Sequence, residues 1–592
     1  MRTIFFSTYK TNGILFYLIP VAVFCFWLFV YPYTLMNQEL FSLFLMTPDF
    51  FLEQLKHPGG LSDYAGWFVV QFFHYSWLAA LCQTAAFITA YVLTSRITRK
   101  LGLLTKAAGI LYLPALTLLG LQMQYEFLFS ETIKVIAYLA IFYGYICIAG
   151  PKTRLLVSLV GAPLFLMLLG GGIFIWLYVL FVIYELAFAP KRLPVAGLLS
   201  WLVIVPALPQ MYRRIALIPQ SQLYGLFPKL SECSYPALPT IMFLWLPVFL
   251  LLGWGVQKYY TGNLSFGKIT TTVFNLLVIV AAAWALKATC YYPHVEQQFH
   301  MYRAVTEEKW DEVLDVAKDY KNKRYSAIVL YNIALAQKGQ LADSLLNYQQ
   351  IGVAGLLHPW EGNYFSHLHG SEVFYRLGEM NEALRWAFEA AVCKADATPP
   401  HLTKRIVEIL IQLEKYEATR PFLYQLVQTW NYADWARKTL RTLPTKAVSS
   451  PRTAETDFIC GTYGPFFDLS FMSQNRPANT NLRDYFLTSL LLEKKIENFY
   501  ADFCEYFRPG NKMALPKIYE EALIIVYQKG IDRDVFKKYH ITQECGDRFT
   551  AYSEGIKTHG LEAPETPKLL APKFHNTYWY YFHFNSGTSA LY

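Results

Sequence analysis

Acidic side chains are scarce in the first half of this chain. Only 16% of its 592 residues are charged. Residues 1–289 hold 8 Asp+Glu against 18 Lys+Arg, while residues 290–592 hold 35 against 34. A net +10 confined to one half of a chain that is 54% hydrophobic points to membrane topology and away from a nucleic-acid surface. Paired cysteines are absent as well. Cys25, Cys82, Cys147, Cys233, Cys290, Cys393, Cys460, Cys504 and Cys545 are scattered with no C-x-x-C. That argues against a zinc ribbon and a disulfide framework and favours singly buried small apolar residues. There is no G-x-G-x-x-G, H-E-x-x-H or G-x-S-x-G, so dinucleotide-binding, zinc-protease and nucleophile-elbow chemistry lack a signature. The nearest P-loop pattern, Gly262 to Lys268, is followed by Ile269. It lacks the magnesium-binding hydroxyl and reads as a chance match in a basic loop.

What is present is apolar sequence in span-length blocks. A membrane helix needs about 20 mostly apolar residues, and nine stretches qualify: 13–32, 67–94, 107–122, 133–150, 155–170, 173–189, 194–211, 240–256 and 269–287. The first has no small-residue cleavage site before Tyr31-Pro32-Tyr33 and reads as an anchor. Lys and Arg concentrate in cytoplasmic loops. With the N-terminus inside, the inside loops carry Arg96, Arg99, Lys100, Lys106, Lys152, Arg154, Lys191, Arg192, Lys258 and Lys268, and the outside loops carry Glu39, Asp49, Glu53, Asp63, Glu126, Glu131 and Glu232. Merging 155–189 across Gly170-Gly171-Gly172 would break this sorting, so nine spans are expected, with everything after Lys287 outside. Few charged residues fall inside the spans, Glu185 and His74 being the main exceptions, which disfavours a transporter.

From about residue 300 the periodicity is that of water-exposed helices. Five short stretches resemble one another, with apolar anchors at Trp310, Leu341, Met380, Tyr416 and Ile496. Each reads as the turn inside a tetratricopeptide-type helix pair. The anchor separations of 31, 39, 36 and 80 residues match a period of ~34 residues only loosely. The expected fold is all-α: a polytopic transmembrane helical domain followed by a periplasmic α-solenoid of tetratricopeptide-like repeats. Its domains are 1–289, about nine transmembrane helices; 290–443, repeats; 444–481, an irregular Pro/Gly-rich insertion; and 482–592, further repeats and an aromatic tail. That tail, Phe574 to Phe584, is either an interfacial anchor or docking strand, or a cover over the open end of the solenoid.

Candidate chemistry lies in the outside loops. The first loop, 33–66, carries Glu39, Asp49, Glu53, His57 and Asp63 between aromatic stretches. Asp49 and Asp63 are the best candidate acids, one serving as base or metal ligand. Arg213, Arg214 and Lys229 oppose the sorting rule. They either hold a lipid phosphate or pair with the acidic loop or snorkel to headgroups. The group His358, His367 and His369, near Glu361, reads as surface histidines and not as a metal site. Within Leu55–Trp77, Pro58-Gly59-Gly60 breaks the chain, Ser62 or Asp63 caps the next helix, and Tyr64 and Trp67 mark the headgroup level.

The stretch NQELFSLFLMTPDFFLEQLKHPGGLSDYAGWFVVQFF, followed by several spans and a long helical half, resembles an uncharacterised family of Bacteroidota inner-membrane proteins. The likeness is most specific at Pro58-Gly59-Gly60-Leu61 and Asp63-Tyr64. It implies a Gram-negative envelope and a periplasmic second half. More distantly, the layout is similar to multi-spanning glycosyltransferases acting on polyprenyl-phosphate sugars, which use an acidic residue in the first outside loop. This chain has no D-x-D or E-x-D there. The expected function is an inner-membrane protein presenting a periplasmic repeat surface to a protein or peptide partner in envelope assembly, in contact with the lipid bilayer and with no nucleic acid. The alternative is a lipid-linked glycan transferase, for which a divalent metal would be the expected cofactor.

Overall fold

The computed structural model describes residues 13–103, 109–217, 223–226, 237–259, 268–360, 362–394, 398–444, 465–510 and 514–585. Among them every regular element is a helix. The chain divides into two compact units: Met1–Pro293 with Val427–Asp434, and His294–Leu426 with Trp435–Tyr592.

The first unit is built from α1 (Gly13–Cys25), α2 (Pro48–Gln54), α3 (Gly60–Val70), α4 (Ser76–Lys100), α5 (Leu113–Gln122), α6 (Phe129–Cys147), α7 (Pro151–Val160), α8 (Ala162–Leu169), α9 (Gly171–Ile183), α10 (Val195–Ala216), α11 (Ala237–Tyr259) and α12 (Lys268–Cys290). Among the described residues, six helices are long and apolar enough to cross a membrane. The number rises to eight if two bent pairs each count as one span: Tyr17–Val30 with Pro32–Phe41, bent by 81°, and α7 with α8, bent by 55°. The second bend falls at Gly161, with Pro163 in the first turn of α8, a recognised kinking combination. Two of the nine expected spans differ. Stretch 107–122 yields only the short apolar helix Ile110–Gln122. Stretch 67–94 is interrupted at 71–75, so α3 and α4 are separate helices. Gly170, at φ +77, separates α8 from α9, keeping 155–170 and 173–189 apart.

The second unit runs from α13 (Pro293–Thr306) through α14 (Trp310–Lys318), α15 (Tyr325–Gln337), α16 (Leu341–Ser344), α17 (Tyr364–Leu377), α18 (Met380–Cys393), α19 (Pro400–Gln412), α20 (Tyr416–Val427), α21 (Ala433–Thr442), α22 (Pro465–Asn475), α23 (Thr480–Leu492), α24 (Ile496–Tyr506), α25 (Lys517–Gln528), α26 (Gln543–His559) and α27 (Thr566–Phe574) to α28 (Tyr578–Phe584). Each of the five anchors opens a helix: α14, α16, α18, α20 and α24. Two residues before each anchor the backbone is left-handed, at Glu308, Gly339, Gly378, Glu414 and Lys494. The next N–H always bonds back five residues, Lys309 to Ala304 O, Gln340 to Leu335 O, Glu379 to Phe374 O, Lys415 to Leu410 O and Lys495 to Leu490 O, at 2.8–2.9 Å. The left-handed residue itself bonds back three. This is one C-terminal capping motif used five times, satisfying carbonyls that a helix end leaves open. A sixth copy closes α25 at Gly530.

Packing in this unit is not confined to neighbours. The pairs α17–α18, α18–α19, α22–α23, α23–α24 and α24–α25 are in contact, but α15 also packs on α23, and α16 on both α23 and α25. Asp343 accepts from the Lys517 N–H, 2.9 Å away, across 174 residues of sequence. A linear array in which each repeat touches only the next has no such contacts. The region 444–481, expected to be irregular, contains α22, and 445–464 lies outside the described residues. In the tail, Tyr578 and Trp579 are fully buried. The Tyr578 N–H donates to Glu521 at 2.6 Å, and the Tyr578 and Tyr581 hydroxyls donate to the Leu491 and Leu492 carbonyls.

Candidate functional site

The turn Pro58-Gly59-Gly60 docks on the end of α8. Gly59 has φ +80, and its N–H donates to Leu166 O at 2.9 Å. A Cβ on Gly60 would stand 1.8 Å from Gln54 O, so only glycine fits. Ser62 and Asp63 do not cap α3, whose N-cap is Gly59 without a side-chain bond. Ser62 Oγ instead donates to Leu168 O at 2.6 Å. Two of the carbonyls at the C-terminal end of α8 are thereby answered from α3 and its turn. Trp67 is buried and packs near Phe50.

Asp63 reaches inward to Lys134. Lys134 Nζ lies 2.9 Å from Asp63 Oδ1 and 2.9 Å from Glu131 Oε1. All three side chains are nearly sealed from solvent, at 6% exposure for Lys134, 10% for Asp63 and 3% for Glu131. Asp63 and Glu131 each stand in the first turn of a helix, α3 and α6, where the positive end of the helix dipole favours a carboxylate. Gly59 closes the site: a Cβ there would sit 3.0 Å from Lys134 Cε and 3.3 Å from Gly170 N.

The same glycine-rich junction leads toward the cations. A Cβ on Gly171 would meet Leu223 O at 1.9 Å, and one on Gly172 would meet Gly225 O at 2.4 Å. Segment 223–226 therefore lies against the start of α9. Tyr224 of that segment accepts from Gln210 Nε2 at 2.8 Å, and Gln210 Oε1 accepts from Arg213 at 3.4 Å. Arg214 is exposed, and Lys229 lies outside the described residues. Asp49 is exposed in the first turn of α2 and takes no part in the ion-pair cluster. Of the site residues inferred from sequence, then, Asp63 is brought into a buried cluster, Arg213 is linked to the junction through Gln210 and Tyr224, and Asp49 stands apart.

Sequence reading missed Lys134, although it falls inside the expected span 133–150. The available signal was a lysine three residues after Glu131 on a helix, the spacing at which side chains meet. It likewise left Arg154 in a loop and Glu185 in a span, where the structure pairs them. Arg154 Nε and Nη2 bond the two Glu185 oxygens at 2.6 and 3.0 Å. The remaining donors reach Ile148 O, Ala149 O and Lys191 O, so all five guanidinium N–H groups are used. Tyr145 Oη adds a bond to Glu185 at 2.8 Å.

In the second unit, His358, His367 and His369 are buried, correcting the surface reading. Their rings pack against Tyr325, Trp360, Trp386 and Tyr302, aromatic neighbours that a linear motif does not reveal. Burial lowers His369 to about 3. Glu361 lies outside the described residues, and among those described no group of three or more His, Cys, Asp or Glu is placed to hold a metal ion.

No curated protein and no solved structure matches this chain. One family model matches residues 7–585, nearly the whole chain and both units. The chain therefore belongs to that family, the Family of unknown function (DUF6057).

Proposed function

We propose that this is an inner-membrane protein of a Gram-negative envelope, with its N-terminus cytoplasmic, that presents the second unit to the periplasm as a tetratricopeptide-like repeat surface for an envelope protein or peptide. The observation that carries the reading is the capping turn repeated at Glu308, Gly339, Gly378, Glu414 and Lys494 in a unit that follows membrane-length helices. Where helix pairs stack side by side, they create extended concave surfaces used for binding. Phe388, Val392 and Tyr424 are exposed apolar side chains of this unit and serve as probe positions. A photo-crosslinking residue placed at each of these positions in the full-length protein in cells should trap one discrete envelope protein or peptide. Crosslinks to lipid alone, at normal protein levels, would remove the reading.

A second reading, transfer of a lipid-linked glycan, draws on the contacts running from the Gly59 turn through Gly170–Gly172 and Tyr224 to Arg213. Asp63 or Asp49 would act as the acid, and Arg213, Arg214 and Lys229 would hold the phosphate. Asp49→Asn or Asp63→Asn would then abolish an envelope glycan at unchanged protein level. Intact glycan in both variants eliminates this second reading.

A further inference from the structure

One face of α6 carries polar groups along the whole membrane helix. Glu131, Lys134, Tyr138, Phe142 and Tyr145 fall at spacings of three and four, a single stripe. All five are at least 95% buried. At one end Lys134 is held between Asp63 and Glu131. At the other, Tyr145 bonds Glu185, which is clasped by Arg154. Between them, Tyr138 is 1% exposed and its hydroxyl has no hydrogen-bond partner among the described residues. Its ring packs edge-on against Phe243. An unmade buried hydroxyl bond costs about 1–3 kcal/mol, and a charged side chain at the centre of a bilayer about 2.5–3.5 kcal/mol or more. Phenylalanine in place of Tyr138 would avoid the first cost with the same shape. Retaining these groups in line is what a proton path requires and what packing alone does not.

We propose that this stripe carries protons through the first unit, a function separate from partner display by the second. The elements packed on α6 contribute these other ionisable groups: Asp63 and Tyr64 from α3; Cys82, Tyr91, Arg96, Arg99 and Lys100 from α4; Tyr178 from α9; and none from α5 or α8. The entry step is balanced. A proton adds to a carboxylate oxygen of Asp63 or Glu131, that carboxylate becomes a carboxylic acid, and Lys134 keeps its ion pair with the other. The acid passes its proton through water to the Tyr138 oxygen while the Tyr138 O–H proton passes through water to the Tyr145 oxygen. Tyr145 gives its own proton to a Glu185 carboxylate oxygen, which releases it at that end. At 1.5 Å per residue, Lys134 and Tyr145 are about 16 Å apart along the helix, roughly half the hydrocarbon thickness. Phe142, fully buried between Tyr138 and Tyr145, closes the line at rest and must swing aside to admit water.

The test uses the full-length protein in vesicles enclosing a pH-sensitive dye, with a potassium diffusion potential as the driving force. Wild type should move protons several-fold faster than protein-free vesicles, and Tyr138→Phe should lower that rate at least fivefold. Tyr138→Phe removes only a hydroxyl with no hydrogen-bond partner among the described residues, so a purely structural role predicts equal flux and equal or greater thermal stability. Lys134→Met, scored by the same flux after its monodispersity in detergent is verified, should also fall to background. A wild-type rate equal to that of empty vesicles, or a Tyr138→Phe rate equal to wild type, overturns the proposal.

Discussion

Gly59 shows how much of the site depends on one missing side chain. Its left-handed backbone would cost an L-residue about 1–2 kcal/mol, and a methyl group there would press on Lys134 Cε from 3.0 Å. Gly59→Ala should therefore lower the temperature at which the detergent-solubilised protein loses its monodisperse peak, by an amount larger than Gly144→Ala, where a Cβ meets nothing within 4 Å. Equal shifts would show that the turn tolerates a side chain. That this turn matters was legible in the sequence, because Pro-Gly-Gly before a carboxylate announces a forced break. Its partner was not. Ser62 and Asp63 read locally as helix caps, and only the tertiary arrangement gives Ser62 to Leu168 and Asp63 to Lys134. Local hydrogen-bonding rules say which groups need partners, but not that two helices, about 70 and 106 residues later, supply them.

At the scale of elements, the five capping turns divide by chemistry. Gly339 and Gly378 adopt the left-handed conformation freely, while Glu308, Glu414 and Lys494 adopt it at a cost. Replacing one of these three by glycine relieves that cost but loosens the unfolded chain, leaving a net gain of about 0.5–1 kcal/mol. Glu414→Gly is the cleanest case, because Glu308 is ion-paired to Arg376 and Lys494 donates to Asn585 O. Its chemical-denaturation midpoint should rise; a fall would show that the glutamate side chain contributes something these contacts do not reveal. The anchors were visible in the sequence because an apolar residue two places past a turn recurs. The contacts of α15 and α16 with α23 and α25 were not visible, since periodicity reports which face is buried and not which distant helix covers it.

The closing helix of the second unit has a titratable hold. Burial pushes the Glu521 carboxyl up to about 7, against the lowering effect of the Tyr578 N–H it accepts. Because the folded state holds this proton more tightly than the unfolded state, its contribution falls as pH rises from about 4.5 through 7, at a cost of about 1 kcal/mol between about pH 6.5 and 8. His369 and His401, both lowered to about 3 by burial, act in the opposite sense, but only below about pH 6.5. Hydrogen-exchange protection of Tyr578–Phe584, corrected for the intrinsic rate, should therefore decline across that upper window in wild type and stay level in Glu521→Gln. Parallel declines would place the titrating group elsewhere.

For the whole molecule, the question is how charge distributes the chain about a bilayer. The net +10 of the first half includes Arg154, which Glu185 neutralises inside the protein. Lys152, Lys191 and Arg192 beside it remain exposed, where anionic headgroups favour them on the cytoplasmic side. The nearly neutral second unit has no such tie and, as proposed, lies outside the cytoplasm. Cys393 offers a native test, since it is exposed in that unit. Burial nonetheless pushes its thiol up, so labelling belongs at about pH 8, where more thiolate is present. In spheroplasts of a Gram-negative host, a membrane-impermeant maleimide should modify the intact wild type and not Cys393→Ser, the remaining cysteines giving the same background in both. Modification of Cys393 only after lysis would place the repeat unit in the cytoplasm. The partner would then have to be sought there, and the sorting of loops by their cations would be reversed from α12 onward.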